Sequence, residues 1–105
     1  MAKRYDEKCP VGRVLNVIGD DWSIMILRDL FLQGTCRFQD LKNSLMGPSP
    51  NTLSARLKWL ESQGIIERKM YSKHPPRAEY SLTDKGRDLS PVLLAMKKWG
   101  ETYRG

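Results

Sequence analysis

Histidine and cysteine are scarce in this chain: His74 is the single histidine and Cys9 and Cys36 the two cysteines among 105 residues. Two cysteines make no disulfide framework, and with one histidine they fall short of the ligands a structural zinc site needs. A lone histidine in a proline-rich stretch, away from both cysteines, supplies no catalytic constellation, so neither an enzyme nor a bound metal or cofactor is expected. Long apolar runs are missing too. Nothing approaches the roughly 20 residues that cross a bilayer, and Met1 to Cys9 carries charges with no apolar signal segment behind it. The expectation is a cytoplasmic protein without a membrane partner. Repeats, low-complexity tracts and Gly/Ser linkers are also absent, which makes residues 1–105 one domain.

What is present is positive charge. Lysine and arginine number 18 against 12 acidic residues, a formal net charge of +6. That balance favours a polyanionic partner, although small basic proteins also use such charge for solubility alone. Composition is otherwise that of a folded soluble domain, 40% hydrophobic and 29% charged.

Periodicity then divides the chain. Pro10 opens a short amphipathic helix with Val11, Val14, Leu15 and Ile18, ending near Gly19. Asp20 or Asp21 caps a second helix, apolar nearly all round from Trp22 to Phe31 and therefore central and buried, with Gly34 as its stop. Thr35 to Arg37 reads as a short extended segment before a third helix, about Phe38 to Met46. After Gly47 and Pro48 comes the clearest start in the chain, Ser49 as N-cap with Pro50 behind it. The spacing predicts a helix from about Ser49 to about Gln63, with Leu53, Leu57 and Leu60 on one face and Gly64 beyond its end. Alternation from Ile65 to Tyr71 predicts a strand, and Ala78 to Leu82 can return antiparallel to it, giving a two-stranded hairpin around the breaker cluster from Ser72 to Pro76. Thr83 caps a last helix in which Leu89, Val92, Leu93, Met96, Trp99 and Tyr103 recur at three- and four-residue intervals.

Three helices, a turn, a fourth helix, a hairpin and a last helix are the order of a winged helix-turn-helix domain, mainly α with a small β-hairpin (α+β). A helix anchored by leucines presents its other face to the major groove. Rotation by about 100° per residue puts Asn51, Ala55, Lys58 and Ser62 outward, with Thr52, Ser54 and Trp59 flanking. Asn51 and Thr52 are candidate base readers, Ser49, Ser54 and Lys58 candidate phosphate contacts, and Ala55 permits close approach. Arg56 lies beside the leucines, where it can support packing. Lys73, His74 and Arg77 around two prolines form a stiff basic wing suited to the DNA backbone or minor groove, although charged tips also guard hairpins against edge pairing. A winged helix can equally serve as an RNA-binding or protein-interaction module. RNA readers present exposed aromatics, and here only Trp59 stands outside core-like positions.

From near Cys9 to near Tyr103 the chain resembles the HxlR-type family of bacterial winged helix-turn-helix regulators. The residues that carry the resemblance are Cys9-Pro10-Val11, Ile18-Gly19-Asp20 with Trp22, Arg37-Phe38 with Leu41, the run SPNTLSARLKWL from Ser49 to Leu60, and Gly64-Ile65-Ile66. The most specific stretch runs from Pro75 to Thr83, followed by Gly86 and Trp99-Gly100. It departs from the family pattern at Gly47-Pro48, where an isoleucine is common before the cap, and at Trp59, where a charge is common. The resemblance implies a homodimeric transcription factor, leaning towards repression, whose first and last helices form the dimer interface over a roughly palindromic operator in double-stranded DNA. It further implies a sensing role for Cys9, since members with a cysteine just before the first helix often respond to oxidants or electrophiles. A helix N-terminus near Lys8 and Arg13 favours the reactive thiolate, while a small packing residue is the other reading of the same cysteine. Cys36 is expected to be buried, at most a resolving thiol.

Overall fold

Helix α2 (Ser23–Gln33) occupies the centre of the structure, a computed structural model describing residues 4–105; residues 1–3, assigned from sequence to the same domain, lie outside the described residues. Ile26, Leu27 and Leu30 are fully buried, and the helix meets α1 (Pro10–Ile18), α3 (Phe38–Leu45), α4 (Pro50–Ser62) and α6 (Ser90–Thr102). Its start is held by Asp20, not Asp21. The Asp20 carboxylate accepts the backbone N–H groups of Trp22 and Ser23, each at 2.9 Å, and the Ser23 hydroxyl. These satisfy donors that the first turn of a helix leaves open. One side of α2 stays apolar and outside the core, with Leu32 77% exposed.

Gly34, at φ +82, ends α2 and turns the chain into β1 (Thr35–Arg37). The hairpin is therefore not two-stranded. β1 lies antiparallel on the edge of β3 (Pro76–Leu82), with Thr35 opposite Ser81 and Arg37 opposite Glu79, and β2 (Ile66–Lys73) pairs on the other edge, for a sheet order β1-β3-β2. This third strand buries Cys36 and covers one edge of β3. The strands also run further into the breaker cluster than expected, to Lys73 and from Pro76, with a bulge near Tyr71. Pro76 is tolerated because β1 reaches only Glu79 to Ser81; at Pro76 the strand has no second neighbour to receive an N–H.

The turn before α4 leaves no room for a side chain at Gly47. Met46 closes α3 at φ +60, Pro48 is buried, and a Cβ on Gly47 would fall 2.3 Å from Cη2 of Trp22. Any larger residue would collide with that ring. From there α4 begins as expected, its N-cap Ser49 accepting the Thr52 N–H at 3.1 Å, and Leu53, Leu57 and Leu60 are buried.

The last helix is two helices. Thr83 caps only the single turn α5 (Asp84–Arg87), its hydroxyl accepting the Gly86 N–H at 3.1 Å, and α6 starts afresh at Ser90. Pro91 causes the break: within a continuous helix it would offer no N–H to the Arg87 carbonyl, and its ring would press on it. None of the residues of α6 is buried.

Candidate nucleic-acid interface

Helix α4 divides its sides among three neighbours. The leucine face enters the core, and Asn51, Ala55, Lys58 and Ser62 are exposed on the opposite side. No hydrogen bond engages the Asn51 side chain among the described residues. Ser49 and Thr52 are engaged with each other, the Ser49 hydroxyl accepting the Thr52 N–H and lying 3.0 Å from Thr52 Oγ1. They shape the helix start, whereas the Asn51 side chain is exposed beside them.

The flank that carries Arg56 and Trp59 faces α1. Trp59, placed by its spacing near the outer surface, turns inward: it is half-buried against the core and its indole Nε1 donates to the Val17 carbonyl at 2.9 Å. A charged residue there would have no such packing. Arg56 Nε lies 3.1 Å from Asp20 Oδ1, with side-chain exposures of 26% and 5%. Burial disfavours the Asp20 carboxylate, but hydrogen bonds from Ser23 and the backbone of Trp22 and Ser23, together with Arg56, outweigh it and hold its pKa below the usual 3.8. At neutral pH the contact is an ion pair.

The other flank meets the sheet. Ser54, Lys58 and Glu61 line a shallow recess of about 290 Å³ with Arg68 and Tyr80. Arg68 is the residue that sequence reasoning missed. It shares a face with Ile66 by strand alternation, and since Ile66 enters the core below α4, Arg68 emerges one pair further out, beside Lys58. At the hairpin tip Lys73, His74 and Arg77 are exposed, with Lys73 opposite Pro76 and Ser72 opposite Arg77. The site thus has two basic regions, Lys58 with Arg68 at the foot of the hairpin and the wing residues at its tip. Arg37, on the face of the sheet opposite Arg68, sets its guanidinium 4.8 Å from the centroid of the Tyr71 ring.

A profile of the HxlR-like helix-turn-helix family matches residues 17–105. The chain belongs to that family. An HTH-type transcriptional regulator of Synechocystis sp. (strain ATCC 27184 / PCC 6803 / Kazusa) is 46% identical over 95 residues, covering 90% of this chain and 70% of that one. The HTH-type transcriptional regulator YdeP of Bacillus subtilis (strain 168) is 41% identical over 98 residues, 93% of this chain and 76% of its own. Among solved structures the redox regulator HypR is 38% identical in both of its forms. The oxidized form superposes with a TM-score of 0.85 over 92% of this chain and 99% of that one, the reduced form with 0.86 over 91% and 94%. This HxlR-like chain is accordingly a transcriptional regulator of the helix-turn-helix type, and its family is one of regulators, not enzymes.

The two thiols of the regulator differ sharply in setting. Cys9 is exposed at the N-cap of α1, its sulfur accepting the Gly12 N–H at 3.4 Å. Cys36 is buried in β1, its S–H directed at the Asp29 carbonyl at 3.9 Å. Burial, then the nearby carboxylates of Asp29 and Asp40, push the Cys36 thiol up to about 11, so it stays protonated at neutral pH. The native protein is expected to release one equivalent of chromophore per chain from a disulfide reagent such as DTNB at pH 7, and two in guanidinium chloride. Rapid reaction of both native thiols would contradict this assignment. Among the described residues no helix is long and apolar enough to cross a membrane, and no group of three metal-ligating side chains occurs.

Proposed function

We propose that this regulator acts in the cytoplasm as a homodimeric repressor on a roughly palindromic operator, with α4 in the major groove and the β2–β3 wing on the flanking backbone or minor groove. The observation that carries the reading is the two-sidedness of α4: three leucines buried, and an exposed N-terminal Asn51 whose side chain makes no hydrogen bond among the described residues. Asn51 pairs with adenine, and Ala55 admits the helix to the groove floor. Ser49, Thr52, Ser54 and Lys58, joined by Arg68, contact phosphates, and Lys73, His74 and Arg77 do the same from the wing. Dimerisation through α1 and α6 is supported by their apolar surface: Val11, Leu94, Met96, Trp99 and Tyr103 are all more than half exposed.

Cys9 is the proposed sensor, supported by its exposure at the end of α1 and by the similarity to HypR. A hydroperoxide transfers one oxygen to the Cys9 thiolate, giving a sulfenic acid while the remaining alkoxide or hydroxide takes up a proton; condensation with a second thiol releases water and leaves a disulfide. Either product alters the start of α1 within the dimer contact.

One set of titrations tests the reading, using a duplex selected from a random pool by the parent protein and a shuffled duplex of the same composition. Asn51→Ala is expected to lose about 1–3 kcal/mol on the selected duplex and little on the shuffled one. Lys73→Ala and Arg77→Ala should weaken both and lower the salt slope by about one unit each. Peroxide should change binding by the parent protein and not by Cys9→Ser. Equal losses for all three variants on both duplexes would refute the division of labour, and indifference of the parent protein to peroxide and diamide would remove the sensing role.

A further inference from the structure

Leucine packing leaves one property of α4 undefined. Apolar contacts hold Leu53, Leu57 and Leu60 against the core but are non-directional, so they set the depth of the helix more firmly than its rotation or axial position. The flank towards α1 supplies one directional hydrogen bond, from Trp59, and one short ion pair, from Arg56. Arg56 and Trp59 lie three residues apart, hence on neighbouring turns of one face, and each reaches a different part of the α1–α2 junction.

The partners at that junction are themselves fixed. The Val17 carbonyl lies in the last turn of α1, where helix carbonyls lack an intrahelical acceptor role, and the Trp59 indole satisfies it at 2.9 Å. Asp20 is immobilised by the N–H groups of Trp22 and Ser23 and the Ser23 hydroxyl, so its carboxylate cannot follow Arg56 if α4 shifts. A displacement of α4 by an ångström would stretch both contacts together. Base readout tolerates far less displacement than phosphate contact, because a bidentate pair has one geometry whereas a flexible lysine reaches a phosphate from many.

We propose that Arg56 and Trp59 are positioning residues for sequence readout, anchoring α4 to the α1–α2 junction so that Asn51 meets base edges in one register. The inference rests on the reading of α4 as the DNA-contacting helix. Neither side chain need touch DNA. Their removal therefore costs discrimination and leaves the sequence-independent grip in place.

The test compares Trp59→Phe, which keeps a ring and removes the N–H donor, with Arg56→Met, which keeps the stem and removes the guanidinium, on the selected and shuffled duplexes. Each variant is expected to bind the selected duplex about tenfold more weakly while shuffled binding and the salt slope stay unchanged. Arg56→Lys, still able to pair with Asp20, should recover part of the loss. Leu57→Val, which loosens the core without touching either link, serves as the stability control and should keep its discrimination. Losses that are equal on both duplexes, or that follow the fall in Tm across all variants including Leu57→Val, overturn the proposal. If Asn51→Ala leaves discrimination intact, the reading of α4 falls and the proposal with it; if Asn51→Ala abolishes discrimination and the two flank variants retain it, only the proposal falls.

Discussion

Trp99→Asp is expected to yield a folded monomer that binds the selected duplex at least about a hundredfold more weakly than the parent protein. Trp99 is 66% exposed, and its main ring contact within the chain is with Tyr103 on the same helix, at 5.1 Å between centroids. Removing it therefore takes little from the core, and the circular dichroism spectrum should be unchanged. A carboxylate in the middle of the proposed pair of α6 helices is a different matter, since it must either stay hydrated and hold the helices apart or lose its water without a partner. Once the subunits separate, each half-site is held independently and the gain from linking two α4 helices disappears. Sedimentation at micromolar concentration and titration of the selected duplex measure both parts. A variant that still sediments as a dimer, or a parent protein that sediments as a monomer, would remove α6 from the interface.

The second large effect is expected at Gly86. A Cβ there would lie 2.1 Å from the Ile65 carbonyl oxygen and 3.2 Å from Cδ2 of Leu82. The carbonyl cannot retreat, because it also accepts the Thr83 N–H at 3.1 Å and lies at the start of β2, while Leu82 is buried in the core. Gly86→Ala must push α5 off the α4–β2 junction, at a cost of about 2–3 kcal/mol. For a domain of this size that lowers Tm by about 10 °C or more. Gly100→Ala is the contrast: it too replaces a helical glycine, but nothing lies within 4 Å of the added methyl. Its Tm should hold or rise slightly, as the unfolded chain loses freedom. Equal thermal shifts for the two variants would show that crowding at Ile65 is not the cause.

These elements differ in how far they could be read before the fold was known. The start of α4 was legible because Ser49 and Pro50 act on their own helix, and its buried face because Leu53, Leu57 and Leu60 follow the helical period. Non-local facts were not. Periodicity placed Thr35 to Arg37 as extended but cannot say which strand receives it, and pairing with β3 depends on a segment more than forty residues later. Trp59 was assigned to the outer flank because a helical wheel gives angles and not neighbours; α1 occupies that flank, so the ring is covered. Arg68 was hidden by the same limit, since its place beside Lys58 follows from how the sheet lies under α4. The split between α5 and α6 is another case: Pro91 was visible, but the apolar repeat on either side of it masked the break.

The tryptophans give the fold a property of another kind. The chain has three of them, and each lies in a different setting: Trp22 against Gly47 before α4, Trp59 between α4 and α1, and Trp99 on the open side of α6. Indole emission follows the polarity around the ring, so the molecule carries an intrinsic fluorophore at the turn, at the helix anchor and at the apolar surface. Single-tryptophan versions would report on each of those places separately, without any attached dye.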